Sequence, residues 1–413
     1  MEEFLTRSRG VALPGPGSGS GSGSGSGLVH VVLGNEACDM DSMVCALVYA
    51  YFLHKTEGGG ASVVPVMNIP EQDLVLRSDA LVLLTKSGLS RDLLVFRDQL
   101  DLRRLQRERR LRLTLVDHNV LPDSDNDLEE AVVEVIDHHR LERVTSCPVA
   151  VEMVGSCATL VAERVLQKAP QLLDDPQITT LLYGTILVDC VDLVPEAGKV
   201  TPKDLDVILQ LQTKVQTLPQ RTELFSELQE AKFNVSGLNL EQMLKKDLKS
   251  VSGPDLHLGI SVLYRPLQHF LDGRALEAEL SAFSQRMGFD LLLLMSISFS
   301  ATQQPIRELG VFSISQPIRE QVSLYLEQAE SPALELRPIS CVHPHITAFH
   351  QGNSVASRKK LLPLLKDFVK DVTWSAQELQ VPPTPVNSLV EGCPLDQGLN
   401  LTELQTRLSL DRD

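Results

Sequence analysis

The sequence predicts an α/β protein of two lobes, an N-terminal doubly wound and mostly parallel sheet followed by a smaller C-terminal α/β domain. Three observations predict it. The chain has 413 residues, more than one ordinary core organises. From Leu28 onward, short β-branched or Leu-rich runs alternate with helical patterns, the signature of a sheet covered by helices. A second set of the same kind begins near Leu224, after a polar stretch.

Residues 1–27 read as a flexible segment, because the run PGPGSGSGSGSGSG over 14–27 has no apolar surface to bury. That run lacks the terminal Lys-Ser/Thr and the preceding strand of a phosphate loop. Strands are expected at LVHVVL (28–33), VVPVMN (63–68), ALVLL (80–84), RLTLV (112–116) and VVEVI (132–136). Helices are expected over Asp41–His54, Cys157–Lys168 and Pro176–Val191. The first lobe is thus drawn over 28–200, and the polar, helix-like 201–223 is read as the connection between lobes. The second lobe, 224–372, has strands at LGISVLY, DLLLLMSISFS and ELGVFS and helices at ALEAELSAFSQRM and SRKKLLPLLKDFVKDV. Residues 373–413 turn Pro-rich and polar and read as a disordered or docking tail.

A formal net charge of −16 excludes a general nucleic-acid binder, which needs a broad basic surface. An anionic ligand must instead be met by bound cations or by a few focused Lys and Arg residues. The seven Cys are scattered and form no CxxC pair, so neither a disulfide framework nor a zinc knuckle is indicated. The N-terminus has no apolar core of a signal peptide, and no stretch approaches the roughly 20 apolar residues of a membrane span. A cytoplasmic location is expected, with the nucleus also admitted.

Three strand ends carry the chemistry. GNEACDMDS delivers Asp39 and Asp41 after the first strand, LTLVDHN ends in Asp117, and VEVIDHH ends in Asp137, His138 and His139. In an open α/β sheet the ligand crevice lies beyond the carboxyl ends of the strands, where each of these groups is expected. Any one Asp after a strand is more often an N-cap or turn residue; three such motifs ending successive strands are not. Clustered carboxylates repel unless neutralised, and a divalent metal pair resolves the conflict. Carboxylate oxygens with imidazole suit Mg or Mn, and the absence of thiolate spacing argues against zinc or iron-sulfur.

The order D-x-D, DHN, DHH resembles the DHH phosphoesterase superfamily, which includes family II inorganic pyrophosphatases, prune-type exopolyphosphatases and RecJ-like nucleases. Asp189 in GTILVDC matches that superfamily's fourth acidic motif. QMLKKDLKS and GNSVASRKKLLPLL resemble the DxK and SRKK elements of the DHHA2 domain, which separate the pyrophosphatase and prune branch from the nucleases, and the wording is most similar to the prune branch. The resemblance covers about Leu28 to Val372.

It implies that Asp39, Asp41, Asp117, His138 and Asp189 hold two divalent cations, with Asp117 between them, and that His139 contacts phosphate. Lys249, Arg358 and Lys359 are implied to grip substrate phosphates from the second lobe across a cleft. They supply the focused positive charge that an acidic protein needs. At Asn35 the pyrophosphatase branch has a metal-binding His, so here Asn35 is expected as a weak ligand or as support behind the ligands. A neutral oxygen there favours Mg over Mn. The implied activity is hydrolysis of short inorganic polyphosphates. A cyclic-nucleotide phosphodiesterase, and a scaffold binding nucleoside diphosphate kinase and a glycogen synthase kinase through the tail, are the alternatives.

Overall fold

The computed structural model describes residues 1–13, 27–57, 60–143, 147–300 and 304–371, with the side chains of Lys359 and Asp371 left outside the description. The expectations for most of the Gly/Ser run and for the tail from 373 fall outside these residues. The chain forms two compact units, the first Met1–Phe233 and the second beginning at Asn234. The division therefore falls past the 201–223 segment, whose helices pack within the first unit.

In the first unit the order is α1 (Glu2–Ala12), β1 (Leu28–Leu33), α2 (Met40–Thr56), β2 (Ala61–Val66), α3 (Ser78–Lys86), α4 (Leu102–Arg107), β3 (Leu111–Val116), β4 (Val132–Asp137), β5 (Val149–Val151), α5 (Cys157–Lys168), α6 (Pro176–Asp189), α7 (Pro202–Lys214) and α8 (Arg221–Phe233). The five strands form one parallel sheet in the order β2-β1-β3-β4-β5. The chain runs outward from β1 to β2 and then returns to the other side at β3. The point of reversal lies between β1 and β3, where the loops leaving the two strands diverge and open a crevice.

Alternation along the strands sends successive side chains to opposite faces. Val29, Val31 and Leu33 join Leu113, Leu115, Leu102, Leu105 and Leu128 in one core layer. On the other face α2, buried along nearly its whole length, packs against β1, β2, α5 and α6. An element covered on all sides explains why α2 is apolar all round, with no single apolar stripe.

Two expectations are corrected here. ALVLL is not a strand; it lies inside α3, with Ala80, Leu83 and Leu84 buried at helical spacing against α6 and α8. A short apolar run is ambiguous by periodicity, and Leu without β-branching favours the helix. Nor is the N-terminal segment flexible throughout. Glu2–Ala12 form α1, which buries Phe4, Leu5, Ser8 and Ala12 on β2. Ser8 Oγ donates to the Val63 carbonyl at 3.0 Å, and Arg9 donates to that of Leu94 at 2.7 Å.

The second unit contains α9 (Leu240–Lys246), β6 (Leu248–Ser252), β7 (His257–Leu263), α10 (Gln268–Leu271), α11 (Leu276–Met287), β8 (Leu291–Phe299), β9 (Pro305–Phe312), α12 (Gln316–Glu327), β10 (Leu336–Ile339), β11 (Ile346–Gln351) and α13 (Arg358–Asp371). Its mixed sheet runs β10-β11-β9-β8-β7-β6, with β7 and β8 parallel and the other pairs antiparallel. One core layer joins the sheet to α12 and α13, the other to α10 and α11. Among the described residues no helix is long and apolar enough to cross a membrane.

Candidate metal centre

Asp117 follows β3 directly and sits at the centre of the site. Its backbone is left-handed, with φ of 62°, a conformation costly for most residues but tolerated by Asp. Its amide still donates to the Ile136 carbonyl at 3.0 Å, so the strand pairing holds the turn. The carboxylate is buried and used on both sides. Oδ2 accepts from Ser42 Oγ at 2.6 Å and from Asn35 Nδ2 at 2.9 Å. Oδ1 lies 3.3 Å from His138 Nε2 and 3.8 Å from His139 Nδ1.

Asp41 approaches the same imidazole, its Oδ2 lying 3.7 Å from His138 Nε2. It is fixed by the start of α5, where the amides of Cys157 and Ala158 donate to its two oxygens at 2.7 and 2.8 Å. Free amides at a helix N-terminus are natural partners of a carboxylate. Asp39 is the N-cap of α2, accepting from the Ser42 amide at 3.1 Å. Arg77 clamps the loop before it by donating to the Ala37 and Cys38 carbonyls.

The two histidines are oriented from behind. His138 Nδ1 bonds the Val154 carbonyl at 3.0 Å, which places the proton on Nδ1 and turns Nε2 toward the carboxylates. His139 Nδ1 bonds Asp137 Oδ1 at 2.8 Å. Asp137 also accepts from the His138 and His139 amides, and from Asn119 Nδ2 at 2.6 Å. A carboxylate or carbonyl behind each imidazole is the usual outer support of a metal-binding histidine.

The electrostatics describe a site short of positive charge. Burial pushes the Asp41 and Asp117 carboxyls up to about 6. Burial opposes charge on His138, yet its bond to Asp117 and the nearby Asp41 push it up to about 11. Asp189, the last residue of α6, is raised well above the carboxylate range by burial and then by Asp41 and Asp39. Its Oδ2 is shut from solvent and has no hydrogen-bond partner among the described residues. A buried carboxylate oxygen left unpaired beside other carboxylates is satisfied by a cation. The donor set fits a hard divalent ion: Asp117, His138 and His139 offer atoms within 4.8 Å of one another, with Asp41 beside them.

The structure thus brings together Asp41, Asp117, His138 and His139; Asp39 lies close enough to raise Asp41 and Asp189 electrostatically, and Asp41 raises Asp189. Asn35 stands behind them. Its Oδ1 accepts from the Cys38 amide at 3.1 Å and its Nδ2 serves Asp117, so its oxygen is already engaged. In the second unit Arg358 opens α13 and is buried, donating to Asp247 Oδ1 at 2.6 Å and to the Asp247 carbonyl at 2.5 Å. Tyr264 Oη donates to the other Asp247 oxygen at 2.8 Å. Lys249 lies half-buried on β6. Lys359 follows Arg358 on α13, and its side chain lies outside the described residues.

Ser42 and Asn119 carry no signal beyond their place within two motifs, and Arg77 carries none; their bonds span 75, 18 and 40 residues. Ser42→Ala removes the shortest donor to Asp117, and Mn²⁺ affinity measured by calorimetry is expected to fall about tenfold, the lower end of outer-support effects. Unchanged affinity would show that the hydroxyl contributes nothing to the centre.

Two domain families match the chain, the DHH family N-terminal domain over residues 30–186 and the DHHA2 domain over 226–368. The chain is 43% identical to exopolyphosphatase PRUNE1 of Bos taurus, with 90% of each chain covered. The chain belongs to the prune exopolyphosphatase family. The human member is 42% identical over the same 90% shares. The manganese-dependent inorganic pyrophosphatase of Methanocaldococcus jannaschii is 27% identical over 55% of this chain and 69% of its own. Prune membership places the chain among hydrolases of phosphoanhydride bonds, and the DHH match takes in every first-unit residue of the centre except Asp189.

Proposed function

We propose that this prune-family chain is a metal-dependent exopolyphosphatase that releases terminal phosphate from short inorganic polyphosphates. The observation that carries the proposal is the meeting of Asp41, Asp117 and His138 at the carboxyl ends of β1, β3 and β4, where the sheet opens a ligand crevice. Asp39, Asp41, Asp117, His138 and Asp189 would hold divalent cations, two of Mg²⁺ or Mn²⁺. Such ions lower the pKa of water and neutralise phosphate charge.

The chain's own residues do the rest. Asp41, tied to the α5 amides, and Asp117, tied to Ser42 and Asn35, keep fixed positions without reorganising when substrate arrives. His139 is raised from the ordinary imidazole value; burial works against this, and the bond to Asp137 and the Asp117 charge outweigh it. With Nδ1 committed to Asp137, its ring would contact a phosphate oxygen. By the family resemblance Lys249, Arg358 and Lys359 would balance charge on the phosphates, although Arg358 is itself buried and paired with Asp247. Asn35, which engages both its polar atoms in the protein, leaves the centre with one imidazole fewer than a site with His there. This supports polyphosphates over pyrophosphate as substrates.

The test is phosphate release with Mg²⁺ and with Mn²⁺ from pyrophosphate, tripolyphosphate and tetrapolyphosphate, beside chromatographic detection of the nucleoside monophosphate formed when a cyclic nucleotide is opened. Tri- and tetrapolyphosphate are expected to turn over fastest, and EDTA to stop all release. Folded protein that opens the cyclic nucleotide to its monophosphate but releases no phosphate from the polyphosphates would replace the proposal with a phosphodiesterase. Folded protein inactive on all of these would end it.

A further inference from the structure

Among the buried carboxylates of the first unit that lie outside the motifs, Asp204 is the most enclosed. Asp204, in the first turn of α7, is fully buried and takes four donors. Its Oδ2 accepts from the Thr201 amide at 2.7 Å, Thr201 Oγ1 at 2.7 Å and the Gly155 amide at 2.9 Å. Its Oδ1 accepts from Thr159 Oγ1 at 2.6 Å. The Thr201 bonds form a capping box that starts α7. The other two reach a different part of the chain.

Gly155 and Thr159 bracket the segment that grips the metal centre. Immediately before Gly155, the Val154 carbonyl holds His138 Nδ1. Between Gly155 and Thr159, the amides of Cys157 and Ala158 hold both oxygens of Asp41. The packing at residue 155 is so close that a Cβ there would lie 2.9 Å from Asp204 Oδ2, 2.3 Å from Cys190 Sγ and 2.6 Å from the Lys199 carbonyl. Glycine at 155 is what lets its amide reach the carboxylate.

We infer that Asp204 is a positioning residue for the centre: it tethers both ends of the Gly155–Thr159 segment, and through it sets the direction of His138 Nε2 and the place of the Asp41 carboxylate. This rests on the proposed metal-binding role of Asp41 and His138. Loss of the tether leaves the ligands present but lets the carbonyl and amides that aim them drift. An imidazole or carboxylate misplaced in this way binds metal more weakly even when the fold survives.

The test measures Mn²⁺ affinity of the full chain from the paramagnetic resonance signal of free Mn²⁺, beside the melting temperature in EDTA. Asp204→Asn is expected to weaken Mn²⁺ binding about ten- to hundredfold, and Thr159→Val to weaken it in the same direction by less. Thr201→Val, which removes the hydroxyl of the capping box and leaves the Gly155 and Thr159 bonds, is expected to lower the melting temperature with wild-type affinity. Wild-type affinity in folded Asp204→Asn, while Asp117→Ala binds weakly, overturns the inference and leaves the metal reading standing. Equal loss in Thr201→Val and Asp204→Asn also overturns it, since the effect is then one of stability. If near-ultraviolet circular dichroism finds Asp204→Asn unfolded, Thr159→Val decides alone, and unchanged affinity there is the overturning result. Wild-type protein that binds no Mn²⁺, or Asp117→Ala that binds it normally, marks failure of the metal reading itself.

Discussion

Asp117→Ala is expected to lower phosphate release from tripolyphosphate by at least about a thousandfold, ~4 kcal/mol of barrier, while the protein stays folded. The carboxylate is the common partner of both sides of the centre. Ser42 and Asn35 converge on Oδ2, and both histidines face Oδ1. Removing it takes away a ligand and the group that holds His138 in place. The fold should survive because the charge is unwelcome there without a cation: burial pushes Asp117 up to about 6. Opposing that relief are two orphaned donors and an alanine at φ of 62°, each of order 1 kcal/mol. Asp117→Asn keeps shape and an acceptor for Ser42, so it isolates the missing charge and is expected to lose nearly as much activity. Retention of more than a tenth of the wild-type rate by either folded variant would remove Asp117 from the centre.

The parts of this molecule legible in its sequence are those governed by neighbours in the chain. β1, β3 and β4 announce themselves as apolar runs; Asp117, His138 and His139 follow theirs at once, and Asp39 and Asp41 come after a short loop at the start of α2, so strand direction carries them to one edge. The α5 limits, Cys157–Lys168, are readable because Ser156 caps the start and a lysine closes the end. Where tertiary packing decides, the sequence is silent or misleading. ALVLL has no internal period to separate strand from helix, and only the faces of α6 and α8 select α3. Charged residues Glu2, Glu3 and Arg7 mask α1, whose helical fate depends on an apolar seat on β2. Asp204 looked like a polar residue in a connection, because its two decisive bonds span 49 and 45 residues.

Mn²⁺ is expected to raise the melting temperature of the first unit by about 5–10 °C at pH 7.5, and by clearly less at pH 5.5. Ligand at a hundred times its dissociation constant stabilises by about 2.7 kcal/mol, and a unit of this size gains roughly 2–4 °C per kcal/mol. The pH dependence follows from competition between protons and the ion for the same atoms. Folded Asp41 and Asp117 are raised to about 6, whereas in the unfolded chain they return to near the ordinary carboxylate value of about 4. Between those values the metal-free folded protein binds more protons than the unfolded chain. Its stability is therefore fullest below about pH 4 and declines as pH rises through about 6. His138, raised to about 11, extends the same decline above neutrality. Metal binding needs those protons gone, so the increment from Mn²⁺ grows over the range in which the metal-free protein weakens. Differential scanning calorimetry at the two pH values, with EDTA or with saturating Mn²⁺, reads both slopes. An increment that is the same at pH 5.5 and 7.5 would mean that the ion binds away from the Asp41, Asp117 and His138 cluster.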